Sequence, residues 1–149
     1  MTSSESSPKK LAWLYLIAAI LSLGGLADAI YLTVQDITGA SLRCTIISGC
    51  SEVLASKYAH IGSIPLASVG ALAYFVFFSL AILAAFGYAF VRSLLTVLVT
   101  LMFLTSLWLI YLQAFVIHHF CQYCLLSAAI TTILTVLVFG SRLGRARLK

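Results

Sequence analysis

Two long stretches of the chain carry no charged side chain, and they restrict the fold more than any other feature. No Asp, Glu, Lys or Arg occurs from Ile61 to Val91, and none occurs from Ser93 to Ser141. Each stretch is longer than the roughly 20 residues that cross the hydrocarbon core of a bilayer. Because a helix satisfies its own backbone hydrogen bonds in lipid, both stretches are predicted to be membrane helices. The second stretch is long enough for two.

A third apolar segment lies near the N terminus. Leu11 to Val34 contains one charged residue, Asp28, and follows Lys9 and Lys10. The chain is 62% hydrophobic and 9% charged, which is outside the range of soluble domains. We therefore predict an all-α membrane protein, a bundle of four transmembrane helices forming a single domain over residues 1–149. The predicted spans are 11–34, 65–90, 93–116 and 122–140.

The first span has one alternative interpretation. Ala27, Asp28 and Ala29 have the small-x-small form of a signal-peptidase site. Cleavage there would leave three spans and no fourth helix to close the bundle, and the segment is long for a signal core. We favour a retained span.

The positive charges predict the orientation of the bundle. The formal charge of +5 does not indicate nucleic-acid binding, because the positive residues collect on one side of the four-span arrangement. That side holds Lys9, Lys10, Arg92, Arg142, Arg145, Arg147 and Lys149, and the other side holds only Arg43 and Lys57. Since cytoplasmic loops carry the excess of Lys and Arg, both termini are expected in the cytoplasm.

The loop from Gln35 to Ile64 is the longest predicted connection, and long loops are usually functional. Within it, Ser51 to His60 places apolar residues at intervals of three and four, which favours a short helix lying in the membrane interface. We expect this helix to act as a lid over the mouth of the bundle.

All four cysteines fall on the predicted outer side: Cys44 and Cys50 in the long loop, and Cys121 and Cys124 at the start of the last span. An even number of thiols on an oxidising face predicts two disulfides or a disulfide in exchange. The C-x-x-C pair begins a helix, where backbone N–H groups favour a thiolate, the nucleophilic form. Two pairs on one face can relay electrons by thiol–disulfide exchange. With no cytoplasmic cysteine, the final acceptor is expected to be a membrane quinone.

Other interpretations of these residues stay open from sequence alone. The cysteines could be static braces, or Cys121 and Cys124 could join His118 and His119 in a zinc site, although we expect no metal. Aromatic residues on the third span could line a quinone pocket or face lipid. They are Phe103, Trp108, Tyr111 and Phe115. Asp28 is either a structural hydrogen-bonding residue, which we favour, or a contributor near the site.

The pattern resembles the vitamin K epoxide reductase family, and in particular its stand-alone bacterial and archaeal members. The resemblance covers nearly all of the membrane core. It is carried by Cys44, Gly49-Cys50-Ser51, Val53, Ser56, Tyr58, Ile64-Pro65, Gly70, Tyr74 and Cys121-Gln-Tyr-Cys124-Leu125. Four cysteines in this order across four spans make it specific.

The resemblance implies a role for each matching residue. Cys124 would work at the quinone, Cys121 would exchange with Cys50, and Cys44 would face the thiol partner. Ser56 would border the quinone site, to which we also assign Tyr58, Tyr74 and Tyr111.

The resemblance also implies partners. The acceptor would be ubiquinone, menaquinone or a vitamin K type quinone. The donor would be a thioredoxin-like protein that makes disulfides in exported proteins, on the periplasmic, extracellular or lumenal face. Many bacterial members carry a fused thioredoxin-like domain, and here that partner is expected to be a separate protein. The Ile64-Pro65 pair looks prokaryotic, which places reduction of vitamin K epoxide behind disulfide formation as the alternative activity. A membrane scaffold with structural disulfides is the second alternative.

Overall fold

The computed structural model describes residues 8–39, 44, 46 and 49–146. Four long helices account for most of them, and the predicted all-α four-helix bundle is confirmed. They are α1 Pro8–Thr38, α3 Leu66–Ala85, α4 Ala89–Leu112 and α5 Gln122–Ala146. Three short elements join them: helix α2 (Cys50–Leu54), the antiparallel strands β1 (His60–Ile61) and β2 (Ile64–Pro65), and a π-helical segment, Gln113–Ile117, that continues α4.

The four helices form a closed ring in which each packs on two neighbours. Helix α1 contacts α3 and α5, and α4 contacts the same two helices. Small residues line the contact between α1 and α3, where Ala18, Ala19, Ala81 and Ala84 are all buried. Small side chains let helix backbones approach closely, which is how membrane helices gain packing energy.

The outer surface of the bundle is apolar. Large side chains that are more than half exposed occur on all four long helices and include Trp13, Ile20, Leu72, Val97, Leu101 and Val136. All four helices are long and apolar enough to cross a membrane. Since a soluble protein rarely exposes apolar patches of this extent, the chain is an integral, multi-pass membrane protein. Its orientation stays a prediction, and Arg43, Arg147 and Lys149 lie outside the described residues.

The predicted interfacial helix is present but shorter than the 51–60 segment that suggested it. Helix α2 ends at Leu54. The hydroxyl of Ser56 then donates to the Val53 carbonyl at 2.7 Å, and the Ala59 N–H donates to the Ser56 carbonyl. Such local bonds to a serine compete with helix continuation. The chain therefore turns after α2 and forms the small hairpin that leads into α3.

Tyr74 of α3 contacts both α1 and α5. Its buried hydroxyl lies 2.8 Å from Ser127 Oγ and 2.9 Å from Thr131 Oγ1, which links α3 to α5. Its ring lies against Gly25 of α1, where a Cβ atom would overlap the ring carbons. The neighbouring Gly24 has ordinary space, with its nearest contact at 4.0 Å.

Replacing Gly25 with Ala is expected to destabilise the bundle by about 1–3 kcal/mol, because the added methyl group must displace the Tyr74 ring from its hydrogen bonds. Thermal unfolding in detergent measures the change. Gly24→Ala adds the same methyl group one residue away and should leave the melting temperature nearly unchanged. Equal effects of the two variants would contradict the assigned contact.

Candidate redox site

The structure brings the four cysteines into one apolar cluster. Cys44 and Cys50 form a disulfide with their Cα atoms 6.1 Å apart, whereas Cys121 and Cys124 are free thiols. Cys50 and Cys121 are almost completely buried, together with Leu32 of α1, and Cys44 and Cys124 pack against them. The two pairs predicted to exchange therefore lie side by side.

Gly49 permits this close approach. Its φ of 138° is a conformation that side-chain-bearing residues rarely adopt. A Cβ atom there would lie 3.0 Å from the Phe120 carbonyl oxygen and 3.1 Å from His119 Cβ. The loop that carries Cys44 is also attached to α5, because the Ile46 N–H donates to Gln122 Oε1 at 3.1 Å. These contacts set the loop disulfide against the turn that precedes Cys121.

The π-helical segment was not predicted, and it positions Cys121 from the other side. Gln113 is 2% exposed, and its Oε1 accepts a hydrogen bond from the Cys121 N–H at 3.0 Å. His118 then takes a left-handed conformation, φ 58°, that ends the segment. π-Helical turns often occur at functional sites. The sequence signal that could have indicated this role was Gln113 itself, the only amide side chain between residues 93 and 116.

Cys121 has the properties of an activated thiol. The hydrogen bond from the Cys124 side chain lowers the pKa of Cys121 from 9.0 to about 7. Burial opposes this shift, while the backbone N–H groups of residues 123 and 124 add to it. A thiol with a lowered pKa leaves faster in thiol–disulfide exchange, so Cys121 is suited to exchange with Cys50.

A cavity of about 150 Å³ lies beside the cysteine cluster, between the long helices and α2. Cys124 lines it, whereas Cys121 faces the loop disulfide. Val53 and Leu54 of α2 form part of its wall, and the role of α2 as a lid stays a prediction. Apolar cavities of about 150 Å³ bind one benzene-sized ring. The volume and the mainly apolar lining therefore suit a flat, uncharged ring next to a thiol.

The four residues assigned to the quinone from sequence lie in different places. Ser56 and Tyr58 line the cavity. Tyr74 lies outside its lining and makes the hydrogen bonds to α5 described above. Tyr111 is 51% exposed and stacks between Trp108 and Phe115 on the surface of the bundle.

Two carboxyl groups also line the cavity, and both come from one face of α1. Asp28 is 8% exposed, and its Oδ2 atom has no hydrogen-bond partner among the described residues. Asp36 pairs with His60 Nε2 at 2.9 Å. The sequence favoured a structural role for Asp28, and Asp36 and His60 were missed. The signal was the helical spacing of Asp28, Leu32 and Asp36, which places all three on one side of a helix.

The family model described as vitamin K epoxide reductase family matches residues 16–139, which include all four cysteines and every residue that lines the cavity. The chain belongs to the vitamin K epoxide reductase family. The resemblance seen in the sequence is thereby confirmed. Members of this family are membrane oxidoreductases that work with quinones in general, and this chain is accordingly an oxidoreductase of the membrane.

Replacing Cys124 with Ala is expected to raise the pKa of Cys121 above its value of about 7, because the hydrogen bond that stabilises the thiolate is lost. The thiolate absorbance of Cys121 should be titrated in a Cys44→Ala/Cys50→Ala background, which removes the other two cysteines. Thr132→Ala, two turns further along α5 and outside the cavity lining, is the control for changes in the helix. An unchanged midpoint in Cys124→Ala would mean that Cys124 does not stabilise the thiolate.

Proposed function

We propose that this protein takes two electrons from the dithiol of a thioredoxin-like partner and passes them through its cysteine pairs to a quinone, which supports disulfide formation in exported proteins. One observation carries the proposal: the C-x-x-C pair has one thiol, Cys124, on an apolar cavity and the other, Cys121, buried against Cys50 of the loop disulfide. A dithiol in this position can take electrons from one side and release them to the other.

The first half of the reaction is thiol–disulfide exchange. The partner's dithiol reduces the Cys44–Cys50 bond and leaves as its own disulfide. The freed Cys50 thiolate attacks Cys121 of an oxidised Cys121–Cys124 pair, which forms a Cys50–Cys121 bond and releases the Cys124 thiol. Cys44 then attacks Cys50, so the loop disulfide re-forms and Cys121 leaves as a thiol. The redox state described above, with the loop pair bonded and the C-x-x-C pair free, is the product of this half.

The second half returns the C-x-x-C pair to its disulfide. Two S–H bonds break and one Sγ–Sγ bond forms between Cys121 and Cys124, while two electrons and two protons pass to the quinone, which leaves as the quinol. The apolar wall formed by Val53 and Leu54 would hold the ring and limit water at Cys124. Ser56 and Tyr58 supply hydroxyl groups at the same cavity.

Asp28 is suited to move a proton in this second half. An isolated carboxylate is costly to bury, which favours the protonated form of the carboxyl group. It can give that proton to a quinone oxygen and recover one as the two thiols close, with no net change in its own state. Asp36 lines the same cavity and pairs with His60 outside its lining, and this pair would connect Asp28 to water at the mouth.

Replacing Cys124 with Ala is expected to reduce quinone-dependent oxidation of a dithiol to the uncatalysed rate, because the thiol on the cavity is lost. The assay follows oxidation of dithiothreitol by purified protein with ubiquinone or menaquinone analogues. Ser79→Ala, on α3 and outside the cavity lining, is the control. Full activity in Cys124→Ala would contradict the proposed route, no quinone-dependent oxidation by the wild type would favour a scaffold with structural disulfides, and turnover of vitamin K epoxide by the wild type would favour the alternative reductase.

Replacing Asp28 with Asn is expected to lower kcat with quinone by about 10²–10⁴-fold, the usual contribution of a general acid–base group. Exchange between the partner dithiol and the Cys44–Cys50 bond should keep its wild-type rate, since that step does not use the cavity. Glu52→Gln makes the same change at an exposed position of α2 and should retain kcat. A normal kcat in Asp28→Asn would remove Asp28 from the mechanism while leaving the thiol relay intact.

A further inference from the structure

A second pocket, of about 360 Å³, lies at the end of the bundle opposite the cysteines. It opens between the first turns of α1 and α4 and the last turns of α5. Three arginines are among the residues that line it, Arg92, Arg142 and Arg145. Tyr15 and Ser141, whose hydroxyl oxygens lie 3.1 Å apart, also line it. Along α1, Tyr15 is about 20 Å from Asp28 at 1.5 Å per residue, so the pocket takes no part in the redox site.

Arg92 is the unusual member of this group. It is 8% exposed, and its Nη2 donates to the Gly87 carbonyl oxygen. Its Nε and Nη1 atoms are buried and have no hydrogen-bond partner in the part of the chain that the structure describes. An arginine stays charged, and a buried charge without a partner is strongly unfavourable.

No carboxylate of the described residues can neutralise Arg92. Asp28 and Asp36 line the cavity at the cysteine end, and Glu52 lies on α2 at that same end. Arg142 and Arg145 add further positive charge to the pocket instead of balancing it. The pocket therefore has several unused N–H donors, an excess of positive charge and space for a ligand.

We propose that this pocket binds a phosphate group, and that the group belongs to an anionic phospholipid. The arginine fork matches phosphate oxygens, and basic pockets between transmembrane helices bind anionic lipid head groups. The aromatic residues near the pocket also fit a phospholipid as the source of the phosphate. Phe86, Tyr88 and Phe90, at the junction of α3 and α4, are all more than 60% exposed, as expected for aromatic residues at the level of the head groups. Acyl chains would run along the apolar outer face.

The test measures lipid binding to the full chain in neutral detergent. Thermal stability is followed during titration with phosphatidylglycerol, with phosphatidylcholine as the uncharged-head-group control and with inorganic phosphate in a separate arm. The Arg142→Gln/Arg145→Gln variant keeps Arg92 and changes only exposed side chains, so it is expected to fold. Its affinity for phosphatidylglycerol should fall by about thirtyfold, from two lost contacts with an anionic head group. Arg92→Gln should weaken binding further.

Lys9→Gln/Lys10→Gln is the matched control, because it removes two positive charges at the same end of the bundle that do not line the pocket. It should lower the affinity much less than the double arginine variant. If inorganic phosphate alone stabilises the protein, and this effect is lost in the arginine variant, the pocket binds phosphate but its ligand is free phosphate and not a phospholipid. Equal losses in the lysine and arginine variants, or no stabilisation by any phosphate compound, would overturn the proposal.

Discussion

The contact between Gly49 and the turn at His119 and Phe120 holds the redox site together. The two cysteine pairs come from distant parts of the chain, and thiol exchange needs their sulfur atoms to meet. A side chain at position 49 would be strained by the φ of 138° and crowded against the turn's backbone, so glycine allows the loop to lie directly on it. The burial of Cys50 against Cys121 follows from this contact. So does the placement of α2, which begins at Cys50 and closes one side of the cavity.

The two thiols of the C-x-x-C pair have different surroundings, and this difference suits a relay. Cys121 precedes the first turn of α5, where N–H groups and the Cys124 thiol stabilise its thiolate. Cys124 is one helical turn further on and reaches the apolar cavity. One residue can therefore exchange with the loop cysteines, while the other meets an uncharged acceptor. The two-residue spacer provides this separation, because residues three apart in a helix lie on the same face at successive levels.

Much of the fold and the membership of the site follow from the sequence. Long apolar stretches predicted the four helices, and the position of the cysteines on one side of the bundle, together with the family resemblance, predicted that the two pairs exchange. The orientation of individual side chains did not follow. Successive residues of a helix differ by about 100° in direction, so Ile110 and Leu112 line the cavity while Tyr111 faces outward. The π-helical segment changes that direction again before Cys121. Helix rotation is set by packing such as that of Tyr74 on Gly25, which no single-residue preference encodes.

Asp28 and Arg92 are two ionisable residues buried within the apolar bundle. Each is buried, each has polar atoms without a partner in the described structure, and they lie at opposite ends. Between them most of the core consists of residues such as Phe77, Leu95 and Leu134, which offer no hydrogen-bonding group. The hydroxyl of Tyr74, which is also buried there, is already engaged with Ser127 and Thr131. In the proposed reaction, Asp28 would therefore exchange protons at the end that holds the thiols. Electrons and protons would enter and leave at that one end, and the positive end would be free to bind the proposed lipid.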